Sequence, residues 1–267
     1  MISQAVAYML AAVVGISLGL IGSGGSILMV PILVYILGIE PILATTYSLF
    51  IVGMTSLIGG ISGIIQKSVI FPIVFIFGIP SIISVYLTRA FIIPVIPNIL
   101  FSINGVDFTR DVSLMVIFSM VMILSSVSMI KKPKSLTTGE GKVDAKKNVI
   151  LFLQGTSVGI LAGLVGAGGG FLIIPALVLL GRIPMKKAIV TSLCIIALNS
   201  VIGFAGSLQS GISVDWKFLL SFTLCSVIGI FTGIYFSQKV QSAKLKIAFG
   251  WFVMFMGIYI LFKELVP

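Results

Sequence analysis

Apolar runs separated by short polar stretches account for almost the whole chain. In the first half they cover about 4–21, 26–38, 42–65, 69–96 and 111–130, and in the second about 148–165, 170–181, 187–209, 216–237 and 245–263. All but 26–38 and 170–181 are long enough to cross a hydrocarbon core of about 30 Å as a helix. Runs such as "SLMVIFSMVMILSSVSMI" show no period-two alternation, so they predict helices rather than the strands of a membrane barrel. Composition agrees: 58% of residues are hydrophobic and 9% charged, against about 45–50% and about 25% in soluble domains. The fold class expected is an all-α integral membrane protein. The first run has no Lys or Arg before it and is followed by more apolar sequence, so it reads as a retained helix and not a cleaved signal peptide.

Polar punctuation also divides the chain. "KKPKSLTTGEGKVDAKKN" carries six lysines and two acids between two sets of five runs. The organisation expected is a first membrane repeat at 1–130, a cytoplasmic linker at 131–147 and a second membrane repeat at 148–267. Shifting the second half by 144 positions lays "GISLGLIGSGGSILMVPILV" on "GILAGLVGAGGGFLIIPALV" without a gap. It registers Gly19 with Gly163, Gly22 with Gly166, Gly24 with Gly168, Gly25 with Gly169, Pro31 with Pro175, Ser48 with Ser192 and Ser56 with Ser200. Registered glycines and prolines mark an internal duplication. Five runs is an odd number, so two such halves joined by one loop have opposite orientations in the membrane, the inverted-topology repeat of secondary transporters.

Charge then sets orientation. The 17 Lys and Arg against 7 Asp and Glu lie mostly in loops between runs, the pattern of a topology signal and not of a nucleic-acid surface. With the lysine-rich linker in the cytoplasm, the basic loops 181–187 and 237–246 are cytoplasmic too. "GIEP" (38–41), which has no Lys or Arg, falls outside, and Lys67 falls inside. Arg89 and Arg110 fall near the outer side, against the rule. The chain is thus expected in the cytoplasmic (inner) membrane with both termini outside. Lys67, Arg89 and Lys217 at run ends could attract anions to the vestibules, but they read first as snorkelling anchors.

The two short runs follow the two glycine clusters. A run of 13 residues, 26–38, makes about 20 Å of helix, so one reading is a re-entrant hairpin in each half, whose tips approach from opposite sides and meet. Glycines that break a helix at membrane depth leave backbone groups that need protein or a water-filled cavity around them. "GSGGS" (Gly22, Ser23, Gly24, Gly25, Ser26) and "GAGGG" (Gly166, Gly168, Gly169, Gly170) would present amides at a helix start, where an anion fits, with serine hydroxyls as further donors. The alternative is that these glycines only allow close helix packing. No Lys-Ser/Thr follows them, which excludes a phosphate-binding P-loop.

The next helix in each half is unusually polar: "ATTYSLFIVGMTS" and "AIVTSLCIIALNS". Thr46, Ser48, Thr191, Ser192 and Asn199 are the candidate substrate contacts there, with Asn199 foremost because a buried amide needs partners and can donate two hydrogen bonds. Serine and threonine can instead bond back to their own helix. All seven acids lie at run ends or in loops and there is no histidine, which disfavours a carboxylate or histidine proton relay. It also leaves an intramembrane enzyme without an acid–base cluster. Cys194 and Cys225 sit inside apolar runs and suggest neither a disulfide framework nor a metal site. No cofactor or metal is expected, the partners are a small anion and the lipid bilayer, and homo-oligomerisation is left open.

The paired "GLIGSGGSILMVP" and "GLVGAGGGFLIIP", with "GIYFSQKVQSAKLKIAFGWFVMFMGIYIL" at the end, resemble the TauE/SafE family of membrane proteins, often called sulfite exporters, over nearly the whole chain. The resemblance implies transport of small sulfur-containing anions such as sulfite or organosulfonates. An anion channel, or a membrane assembly protein that transports nothing, is the alternative the residues leave open.

Overall fold

The computed structural model describes residues 4–65, 67–103, 106–130, 145–180, 183, 185–237 and 242–265. Helix α1 (Gln4–Ile21) runs into a 3-10 helix (Gly22–Leu28), a short α2 (Met29–Pro31) and a π turn (Ile32–Ile36). Then come α3 (Pro41–Ile65), α4 (Phe71–Leu87), a second π turn (Thr88–Ile92) and α5 (Ile93–Val95), the last three forming one rod. A hairpin of β1 (Ile99–Ile103) and β2 (Val106–Thr109) leads to α6 (Arg110–Ile130). After the linker, α7 (Ala145–Val165) is followed by α8 (Gly170–Pro175), a π turn (Ala176–Leu180), α9 (Met185–Gln209), α10 (Trp216–Ser237) and α11 (Ser242–Leu265).

Seven of the described helices are long and apolar enough to cross a membrane, and Val6–Leu20 and Gly25–Ile36 are shorter apolar ones. Large apolar side chains such as Ile65, Leu124 and Phe262 point outwards, as they do when lipid and not water is the solvent. The protein is an all-α integral membrane protein, and the runs read from the sequence match its helices to within a few residues. The hairpin was not foreseen, although "ILFSINGVDFT" carries the Asn-Gly dipeptide that favours tight hairpin turns. The expected linker falls almost wholly outside the described residues, as do residues 181, 182 and 184 of the loop 181–187; in 237–246 the described residues are Ser237 and 242–246, by their backbone alone.

Four helix pairs carry the packing: α1 with α10, α4 with α7, α3 with α9, and α6 with α11. Two of them are close seams. A Cβ on Gly15, Gly229 or Gly233 would strike the carbonyl oxygen of Ser226, Ala12 or Ile16 across α1 and α10, and one on Gly155 or Gly159 would strike that of Phe77 or Ser81 across α4 and α7. These are small-residue contacts of membrane helices, and they use glycines outside the two clusters. The pairs also exchange under the 144-residue shift. Gly59 of α3 packs on Leu193 of α9, while Gly203 of α9 packs on Leu49 of α3.

Candidate anion-binding site

The centre of the molecule is polar. Thr45, Thr46, Ser48, Thr55 and Ser56 on α3, Ser81 and Ser84 on α4, Thr88 and Arg89 in the second π turn, and Thr191, Ser192, Asn199 and Ser200 on α9 are all buried. Among the described residues Arg89, 1% exposed, is the one charged side chain that is buried. A π turn inserts a residue into the helix and re-aims the side chains around it, a device frequent at functional sites. Here it packs against both α7 and α9, so Arg89 points into the protein and not to the membrane surface.

The guanidinium is held on one side only. Arg89 Nη1 donates to Thr45 Oγ1 at 3.0 Å, and Thr45 in turn donates to the carbonyl oxygen of Ile42 at 2.9 Å. Nε and Nη2 have no partner. Nη2 lies against the loop between α7 and α8, where Gly166, Gly168 and Gly169 all have left-handed backbones, with φ of 71°, 65° and 73°. A Cβ on Gly166 would run into Thr45 and lie 2.5 Å from Arg89 Nη2, and one on Gly168 would run into Ser200 Oγ. Only glycine satisfies both the backbone and the space there. The hydroxyls of Ser200 and Thr88 are also without partners.

The first cluster is built differently. Gly22, Ser23 and Gly24, described by their backbone alone, belong with Gly25 and Ser26 to the 3-10 helix, whose winding engages amides along the segment. Gly25 lies against the backbone of α1, its absent Cβ 2.6 Å from Leu18 N, so the chain folds back on itself there. This 3-10 helix packs against α8 and α9, so it lies beside the helix into which the second cluster leads. Gly170 starts a helix of only six residues, too short to add much macrodipole.

The polar helix positions divide by hydrogen bonding. Thr46 bonds back to Ile42 O at 2.9 Å and Ser192 to Ile189 O at 2.7 Å, while Thr191 Oγ1 accepts from Ile70 N at 3.1 Å. Asn199 Nδ2 donates to Ser81 Oγ at 2.7 Å, leaving its carbonyl oxygen unpartnered. The amide expected to donate to a substrate is thus partly committed to α4. Ser48 and Ser56 are buried with no partner for their hydroxyls. No group of histidines, cysteines or carboxylates able to hold a metal is found among the described residues. The chemistry that remains is that of an uncompensated cation with hydroxyls around it, suited to holding an anion.

The family model described as "Sulfite exporter TauE/SafE" matches residues 7–262. The chain belongs to the TauE/SafE family. Its relatives include a probable membrane transporter protein of Xylella fastidiosa, 26% identical over 94% of this chain and 92% of that protein. Another is the probable membrane transporter protein YunE of Bacillus subtilis, 29% identical over 84% of each chain. No solved structure matches. Membership makes this a multi-pass membrane transport protein and not an enzyme.

Within this TauE/SafE chain, Arg89 was read from the sequence as a run-end anchor or vestibule charge, and the structure buries it instead. A signal was present: Arg89 is followed by the apolar "AFIIPVI" inside its own run, and an ionisable residue within a membrane helix is functional by default. Thr45 and Ser200 lie in the two polar helices quoted from the sequence but are not among the candidate contacts named there.

Proposed function

We propose that the protein is a secondary transporter for a small sulfur-containing anion, of the sulfite or organosulfonate class, working by alternating access with the substrate held where the two glycine clusters meet. The observation that carries this reading is a buried guanidinium whose Nε and Nη2 lack partners, with Nη2 beside the glycine turn and no buried acid among the described residues to neutralise it. The helix pairs that exchange under the 144-residue shift support two structural repeats, 1–130 and 148–267, of inverted topology around that centre. With Arg89 buried, it leaves the tally of loop charges, and the fit to a cytoplasmic linker with both termini outside improves. Export needs no coupling ion. With the cytoplasm negative, each negative charge leaving the cell gains about 2.3 kcal/mol per 100 mV.

The test is flux of radiolabelled sulfite, thiosulfate, sulfate and sulfoacetate in proteoliposomes under an imposed potential. A Gly168→Leu variant, which forces a side chain onto Ser200, serves as control. Expected is voltage-dependent flux of at least one anion, lost in a variant that still elutes as a folded protein. No flux of any anion in the wild-type protein would remove the reading.

A further inference from the structure

We infer that Arg89, with Thr45, Ser200 and the Gly166–Gly168 turn, forms a binding site for one singly charged oxyanion, so that the loaded site is neutral and the empty site carries a positive charge. This rests on the transport reading and adds the charge of the substrate and the step on which voltage acts.

Geometry gives the ligand class. Nε and Nη2 project to the same edge of the planar guanidinium, the fork that matches two oxygens of an oxyanion. In Arg89 both are free, while Nη1 is tied to Thr45 and fixes the plane. Nη2, one arm of the fork, lies beside Gly166, where the absence of a side chain leaves it room. Two positions along the same turn, the unpartnered Ser200 hydroxyl adjoins Gly168 and offers a further donor. From behind, Ser210 Oγ donates to the Arg89 carbonyl oxygen at 3.1 Å and anchors the π turn to α9.

Charge gives the stoichiometry. A buried ion left without a counter-ion costs several kcal/mol, so an unpaired Arg89 marks a place where the counter-ion is the cargo. Among the described residues no second charged side chain is buried. A monoanion such as hydrogen sulfite or an alkanesulfonate therefore neutralises the site. A dianion such as sulfate leaves a net negative charge in it and gives up more hydration to enter. The loaded carrier then crosses without moving charge, and the membrane potential acts on the empty, cationic carrier, drawing it back towards a negative cytoplasm after release outside.

The experiment uses full-length protein in proteoliposomes with methanesulfonate as the monoanion and sulfate as the dianion. With equal methanesulfonate on both sides, exchange of label should be the same with and without an imposed potential, while net efflux responds to it. Sulfate should exchange at least about tenfold more slowly, and Arg89→Gln should lose methanesulfonate exchange by about tenfold or more, the worth of a charge-assisted hydrogen bond. Arg89→Lys should retain part of it. Arg89→Met should raise the melting temperature while abolishing flux, because it removes an unpaired buried charge; an arginine with a merely structural role would lower it. Exchange as voltage-sensitive as net flux, sulfate as fast as methanesulfonate, or full activity in Arg89→Gln would each overturn the inference and leave the transport reading standing. Absence of flux for either anion in the wild-type protein would overturn both.

Discussion

The two glycine clusters share their sequence register and little else. At 22–26 the chain winds as a 3-10 helix and Gly25 presses on the backbone of its own α1; at 166–169 it opens into a turn with left-handed glycines against Thr45, Arg89 and Ser200. The same kind of residue serves fold-back in one half and proximity to a buried cation in the other. Part of the reason lies outside the clusters. Arg89 comes from the first half, and the matching stretch of α10, 232–234, reads Thr-Gly-Ile. On the repeat reading proposed above, the two halves supply two turns, while the charge that distinguishes them is present once.

The largest effect that would sharpen this contrast is expected from Gly166→Ala. Its methyl group must occupy the space of Thr45 and Arg89 Nη2 at a backbone angle that L-residues avoid at a cost of about 1–2 kcal/mol. Flux should fall about a hundredfold, as for an ångström-scale misplacement within a site, with a melting temperature only a few degrees lower; equal losses in stability and flux would erase the distinction. Gly25→Ala is the counterpart. Its methyl group meets main-chain atoms of Ser17 and Leu18, and overpacking of this kind costs about 1–3 kcal/mol. Thermal unfolding should report that cost, while flux per folded molecule stays within about twofold, well short of an ångström-scale misplacement. A specific loss of flux would place the first cluster in the site as well.

The smallest effect compares two registered serines. Ser56 and Ser200 are both buried with unpartnered hydroxyls, yet only Ser200 adjoins the left-handed turn. Ser200→Ala should raise the half-saturating anion concentration by about two- to tenfold, the range of one hydrogen bond. Ser56→Ala should leave it unchanged. Neither should lower stability, because no hydrogen bond is lost in the empty protein.

How much of this was legible in the sequence follows from which forces set each feature. Membrane helices announce themselves through hydrophobic length alone, so the α1, α3, α6, α9 and α10 boundaries could be read directly. The registered Gly22/Gly166 and Pro31/Pro175 pairs are what suggested a duplication, and the structure has a π turn after each of those prolines, Ile32–Ile36 and Ala176–Leu180. What could not be read depends on tertiary contact. Whether a glycine cluster winds up or opens is decided by its neighbours, and "GSGGS" and "GAGGG" do not name theirs. The polar helix residues were identified and back-bonding was weighed for them, but not which ones, Thr46 and Ser192, would spend their hydroxyls that way while Thr45 would orient Arg89. Arg89 itself was misplaced because a positive charge near the end of an apolar run serves equally as a topology anchor until its side-chain direction is known.

The most direct test is to locate the anion. Selenite, the heavier analogue of sulfite, soaked into or co-crystallised with the protein gives an anomalous signal from selenium. A single peak within hydrogen-bonding distance of Arg89 Nε and Nη2, beside Gly166 and Gly168, is the expected result. A peak at Gly22–Ser26 with Arg89 still unpartnered would contradict it.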